Sequence, residues 1–548
     1  MTRYLWSILL GWVCVGVCAE PHQAADNPGN AVPQYQLAIK IVPAAHRLEI
    51  NGEVVLPPSS ATRSSLEFHL SSALHDFEVA VLAPPAGAGA TRLVKETTID
   101  DVVTWSLQPS KPFPAGEPIR LQFSYSGGEE IRPLFYIGKE GSFASSFETA
   151  WYPMAGDYDR CTAKMVFLVP RKHSVIANGR RVSGPQEEER GEFSFEVIQP
   201  SHLTFAAARY RIERRKDAQG NTIAAYLLKR RPGIGEYLEK CAQVKAALTQ
   251  EFGPSPWRDL AVVETPAKPS RKAGLLGAAA EGLILVLGPF LDGDFNTAFY
   301  GHELSHQWWG VSVNGKPGPR GLFMLDEAMA QYGSLRAVEM VEGPDVAESY
   351  RRTGYPGYVH AGYVPDASAQ AYLKTEARSM DQPLSALQPD SYGRQLADTK
   401  GFLVLDLLSR TVGREVFRRI LQDVASRYAG NEISWDEFLE EVQKGSGANL
   451  TWFYQQWFER EGVPQWGVTW RQAGNLVFGA IRQPPPYFRA EVDVLLEGED
   501  GQNWVETVEL HAESTVFVLP AGFKVRAVTV DPRFLVPHRP PSVQPGRP

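Results

Sequence analysis

The stretch His302-Glu303-Leu304-Ser305-His306 restricts the architecture of this chain more than any other. Two histidines four residues apart share one face of a helix, so a helix here aims both imidazoles at one point, with Glu303 beside them. Two neutral imidazoles and one carboxylate from elsewhere make a three-ligand set for Zn²⁺ that leaves one coordination position open. The fold must therefore press a second, carboxylate-bearing element against this helix. Glu327 is the candidate third ligand, in Phe323-Met324-Leu325-Asp326-Glu327-Ala328-Met329-Ala330-Gln331-Tyr332, where apolar neighbours flank an acid as expected of a carboxylate projecting into a pocket. Asp326 is its rival.

A chain of 548 residues, 43% of them hydrophobic, is long enough for several cored domains. The net charge of -8 is mixed in sign and no long Lys/Arg block occurs, which excludes the usual footprint of a nucleic-acid partner. At the N-terminus, Arg3, the apolar run Leu5 to Val17 and the small residue Ala19 read as a signal peptide over residues 1–19, giving an exported, periplasmic or secreted protein. No later segment is long and apolar enough for a stable membrane span. Cleavage near Ala19 removes Cys14 and Cys18. Cys161 alternates in phase with Ala163, Met165 and Phe167, and Cys241 shares a helix face with Leu238, Val244 and Leu248, so both read as core thiols, with a disulfide between them as the alternative.

Residues 20–34 are polar and rich in Pro, Asn and Ala, as in a flexible leader. From 35 to 213 alternating runs such as Leu37–Val42, Leu121–Tyr125 and Lys164–Val169, separated by turn residues, read as a β-domain, with Pro84 to Ala90 as a hairpin tip. Helical periodicity governs 214–464, with helices expected near 297–309, 325–342, 397–411, 413–428, 435–444 and 449–461. Alternation returns over 465–537, and the Pro-rich residues 538–548 read as a disordered tail. The expected class is α+β multidomain: an N-terminal β-sandwich or saddle, a mainly helical central domain and a small C-terminal β-sandwich.

Tyr300-Gly301-His302-Glu303-Leu304-Ser305-His306-Gln307-Trp308-Trp309-Gly310 resembles the zinc-site helix of the aminopeptidase N family, and Asp326-Glu327-Ala328-Met329-Ala330-Gln331-Tyr332 resembles the segment that carries its third ligand. Twenty residues separate His306 from Glu327, two more than is usual there, placing an insertion in the loop 314–321. Trp151-Tyr152-Pro153, Ala177-Asn178-Gly179, Lys400-Gly401 and Trp452 to Phe458 followed by Gly462-Val463-Pro464 extend the resemblance over most of residues 35–536. It implies a thermolysin-like catalytic domain in a short three-domain form, one Zn²⁺ on His302, His306 and Glu327, Glu303 as general base, and a peptide or protein substrate. Ser145-Ser146-Phe147-Glu148 matches a stretch that grips the substrate ammonium in the family, which assigns that role to Glu148.

Two positions depart from the pattern. The second ammonium anchor falls in Gly277-Ala278-Ala279-Ala280-Glu281-Gly282-Leu283-Ile284, one residue short, with Glu281 as the candidate. The family's oxyanion-stabilising Tyr is replaced by Asp398, and an ionised carboxylate donates no hydrogen bond. Tyr392, six residues earlier, is the candidate substitute. Three readings stay open: a zinc aminopeptidase, a zinc endopeptidase or narrow processing enzyme, and a zinc-binding, weakly active or inactive binding or assembly protein.

Overall fold

The computed structural model describes residues 32–545 apart from 84–88, 100, 157, 159, 317, 319, 356–366 and 389. The expected signal peptide, nearly all of the leader and most of the 84–90 tip lie outside the described residues. The N-terminal part is built on a seven-stranded sheet backed by two four-stranded sheets. Its first strand, Gln34–Val42, buries Tyr35, Leu37, Ile39 and Ile41 and exposes the residues between them. That is the period of two expected where one face meets a core. It pairs parallel with Cys161–Leu168 and antiparallel with Arg47–Leu56. Cys161 and Cys241 are free and buried, as read from the sequence.

The expected boundary at 213/214 falls inside a strand. Arg211–Lys216 opens a five-stranded sheet in the order Arg211–Lys216, Thr222–Leu227, Leu260–Thr265, Leu283–Leu287, Gly277–Ala280, which belongs to the central part. Sequence periodicity does not reveal this sheet, because Leu260–Thr265 and Leu283–Leu287 are buried throughout and do not alternate. Gly277–Ala280 lies at its edge.

Helices pack behind this sheet, and two of them build the site. Thr297–Ser305, shorter than the expected 297–309, crosses Met329–Glu342 at very close range. A Cβ on Gly301 would meet Ser334 Cα at 2.9 Å, and one on Gly333 would meet Ser305 Oγ at 2.0 Å. Ser334 Oγ donates to the Ala298 carbonyl across the same crossing, at 2.7 Å. Two helices expected to be regular begin instead with a π-helical turn, Met324–Ala328 before Met329–Glu342 and Ala397–Gly401 before Phe402–Thr411. The two turns touch where a Cβ on Gly401 would lie 2.8 Å from Ala328 Cβ. The adjacent Lys400 is fully buried against Asp381 at 3.2 Å, which anchors the second turn.

The C-terminal part comprises a four-stranded and a three-stranded sheet. It shares the core of the central helical part, with Trp457 and Phe488 rings 5.2 Å apart and Gln456 exchanging two hydrogen bonds with the Arg489 backbone. Residues Arg539–Pro545 are not a disordered tail: they form a strand parallel to Gln465–Ala473, since Pro without an N–H is tolerated on an edge strand. Among the described residues, no helix is long and apolar enough to cross a membrane. Gly301→Val is expected to cost about 1–3 kcal/mol by overpacking the helix crossing, read as a lower urea midpoint, and to reduce bound zinc in the same preparation.

Candidate metal centre and cleft

Asn296 starts the first site helix by accepting from Phe299 N at 2.8 Å. His302 lies in its last turn, and His306 follows it in helical conformation. Their Nε2 atoms are 3.1 Å apart, and Glu327 Oε2 lies 3.4 Å from one and 3.9 Å from the other. All three ligand atoms fall within 4.8 Å of one another. A tetrahedron with bonds of about 2.0–2.1 Å has edges of about 3.3 Å, so these separations fit one zinc ion.

The second nitrogen of each imidazole is tied down. Gln331 Nε2 donates to the Tyr350 hydroxyl, so its Oε1 is left to accept from His302 Nδ1 at 2.8 Å. Tyr350 and Ser334 hydroxyls, 2.9 Å apart, carry this chain of donors on to the Ala298 carbonyl. His306 Nδ1 faces two acceptors, Asp326 Oδ1 at 2.9 Å and the Trp309 carbonyl at 3.2 Å. In the neutral form that binds a metal, each ring would therefore keep its proton on Nδ1 and offer the Nε2 lone pair. Asp326, the rival ligand, orients His306 instead. Gly310, at φ +94°, makes room for it: a Cβ there would lie 2.1 Å from Asp326 Oδ1.

Burial opposes charge on both imidazoles, yet Asp326 and Glu327 push His306 up to about 10, and the Glu327 hydrogen bond raises His302. Burial also opposes charge on Glu327, but His302, His306 and Arg394 together hold its carboxyl below the usual range. The site thus concentrates negative charge on two imidazole nitrogens, an environment suited to a divalent cation, and the N,N,O donor set suits zinc.

The ligands open into a cavity of about 830 Å³ lined also by Glu148, Glu303, Arg394 and Asp398. Burial raises the Glu303 carboxyl, with the histidines opposing. Gly277 lies directly against it: a Cβ there would sit 2.0 Å from Glu303 Oε1. Gly277–Ala280 lines the cavity as an edge strand, the kind of surface to which an extended peptide adds as a further strand. Gln307 fixes this strand to the metal helix, donating to the Ala280 carbonyl at 3.0 Å and accepting from Gly282 N at 2.9 Å.

Of the residues singled out from sequence, the structure brings together His302, His306, Glu327, Glu303, Glu148 and Asp398. It does not bring in Glu281. The hairpin Ala280-Glu281-Gly282-Leu283 turns in two residues, so Ala280 lines the cavity while Glu281 is buried outside its lining, where Ser201 and Asn178 are its hydrogen-bonding neighbours. Nor does Tyr392 line the cavity. It is 41% exposed on the helix Ser391–Leu396, whose cavity face presents Ser391, Arg394 and Gln395. Arg394 is the residue that sequence reading missed. Its Nη1 lies 3.4 Å from Glu327 Oε1 and its Nη2 3.4 Å from Glu148 Oε1. The signal was its position four residues before Asp398, one helical turn away on the same face.

Gln331→Leu is expected to weaken zinc binding about 10- to 100-fold by releasing His302, measured by competition with a chelating dye. Burial lifts Glu281 to about 7 from 4.5. Between these values the folded chain binds the extra proton, so stability falls as pH rises and the full penalty stands above about 7. Unfolding free energy at about pH 5 and about pH 8 should drop for the wild type, by an amount of the order of 3 kcal/mol, relative to Glu281→Gln, which lacks the titration.

Residues 296–457 match the family model described as Peptidase family M1 domain. Probable aminopeptidase 2 of Sulfurisphaera tokodaii is 24% identical over 168 residues, 30% of this chain and 20% of that protein. The crystal structure of Legionella pneumophila aminopeptidase A in complex with aspartic acid superposes with a TM-score of 0.68 at 13% identity, covering 94% of this chain and 59% of that one, which shows a shared fold. The chain thus spans well under two thirds of the length of either. Two close-packed helices present His302, His306 and Glu327 inside the segment that matches the peptidase family M1 domain, and this part of the chain is similar to the metallopeptidases of that family.

Proposed function

We propose that the chain is an exported zinc-dependent peptidase that removes N-terminal residues from peptides, with Glu303 as its general base. The observation that carries this reading is the Glu303 carboxylate itself, facing the side-chain-free backbone of Gly277 within the same cavity as the three ligand atoms. His302, His306 and Glu327 would hold a zinc ion, which would supply Lewis-acid polarisation of the scissile carbonyl and lower the pKa of the attacking water. Glu303 takes the proton that this water loses and returns it to the leaving amine, a task for which a carboxyl raised by burial is better matched than an exposed one. The edge strand Gly277–Ala280 orients the peptide backbone, and Glu148 supplies negative charge for a free ammonium group. Export rests on Arg3 and the apolar run from Leu5 to Val17.

A second reading, cleavage of internal peptide bonds, is favoured by one observation. Glu148 is paired with Arg394, and Ala280 rather than an acid faces the cavity, so the ammonium pocket holds little net negative charge. A panel of aminoacyl and N-blocked fluorogenic peptides with wild type and Glu303→Gln separates the readings. Turnover of free-amine substrates alone, lost at least about 1,000-fold in Glu303→Gln with zinc retained, is the expected result. Cleavage of blocked peptides would replace it with the endopeptidase reading, and stoichiometric zinc without Glu303-dependent turnover with a binding role.

A further inference from the structure

Position 398 offers the cavity a carboxyl where the resemblance places a phenol, and its buried Oδ1 has no hydrogen-bond partner among the described residues. A cation stands one helical turn away. We infer that Arg394 is a catalytic residue, donating hydrogen bonds to the scissile carbonyl oxygen as it becomes negatively charged. The inference rests on the proposed peptidase reading and deepens it.

Three observations carry it. First, Glu327 divides its two oxygens: Oε2 faces the histidine nitrogens at 3.4 and 3.9 Å, and Oε1 faces Arg394 Nη1 at 3.4 Å. The guanidinium therefore lies one carboxylate away from the ligand cluster, within reach of an oxygen bound beside it. Second, its donors are not consumed. Contacts of 3.4 Å to Glu327 and Glu148 are longer than the 2.7–2.9 Å of a charge-assisted hydrogen bond, and the side chain makes no other hydrogen bond among the described residues. Five N–H groups in a rigid fork leave several free for substrate. Third, the group is held in place without being sealed off. Its carbon lies 5.8 Å from the Phe323 ring centroid, Glu148 and Glu327 fix its ends, and its side chain is 44% exposed on the cavity.

Water oxygen adds to the carbonyl carbon, the C=O π pair moves onto oxygen, and Glu303 accepts the water proton. The alkoxide pair then reforms C=O as the C–N bond breaks, and the amine nitrogen takes the proton from Glu303. Arg394 remains protonated throughout and only donates hydrogen bonds, which is favourable where charge develops and needs no proton transfer.

The test uses the full-length zinc-loaded protein, with Arg394→Ala and Arg394→Lys. Arg394→Ala is expected to lower kcat about 100- to 1,000-fold with KM within a few-fold and zinc content unchanged. Arg394→Lys should recover part of that loss. Independently of turnover, calorimetric binding of a tetrahedral phosphinic peptide should weaken by a similar factor in Arg394→Ala, while binding of a hydroxamate that carries no tetrahedral oxyanion is kept. Unchanged kcat, a loss confined to KM, zinc loss in parallel with activity, or unaltered phosphinic affinity would each overturn the inference. If the wild type shows no Glu303-dependent turnover, the peptidase reading fails, and the two binding measurements still decide whether Arg394 meets a tetrahedral oxyanion.

Discussion

The close crossing of Thr297–Ser305 with Met329–Glu342 is the constraint on which the site depends. Gly301 against Ser334 and Gly333 against Ser305 let the two backbones approach to the limit set by Cα and Cβ atoms. At ordinary helix spacings of about 8–10 Å, a side chain at each of these positions would fit, and Glu327 would stand farther from the histidines. The same crossing carries the hydroxyl chain from Ala298 through Ser334 and Tyr350 to Gln331, which fixes the His302 proton. Packing and protonation state are thus set by one contact.

What could be read from the sequence follows from what leaves a local mark. The histidine pair and Glu327 are local patterns on helices, and the strands Gln34–Val42 and Ala490–Gly498 alternate because one face of each meets a core. The sheet that carries Gly277–Ala280 has central strands, Leu260–Thr265 and Leu283–Leu287, that are buried on both faces and show no alternation to detect. Glu281 matches the anchor segment in sequence, yet hairpin register decides which residue faces the cavity, and here that residue is Ala280. Tyr392 offers a hydroxyl, but helical phase counts more: Arg394 and Asp398 share a face that Tyr392 does not. The Arg539–Pro545 strand escaped because its composition, not its partner Gln465–Ala473, dominates the local signal.

The cavity's charge is distributed over parts that are remote in sequence. Glu148 comes from the N-terminal β-domain, Arg394 from a late helix and Glu327 from the metal site, and one guanidinium touches both acids. Arg160, paired with Glu432, bridges the same two domains at the cavity wall. Domain orientation and cavity electrostatics are therefore coupled: a rotation at the junction would part Arg394 from Glu148 before it disturbed any zinc ligand. The Glu148–Arg394 contact is more sensitive to domain movement than the cluster of His302, His306 and Glu327 is.

Glu327 and Asp398 both sit in π-helical turns, and those turns abut at Gly401. A π turn holds one residue more than a regular one, and each residue rotates a helix by about 100°. The extra residue therefore acts as a phase shifter, turning an acid into the cavity while the helix beyond it keeps its apolar face on the core. Regularising either turn by deleting a residue would alter no chemical group, yet it would swing the carboxylate by more than a quarter turn. Length, as much as identity, is what these two segments encode.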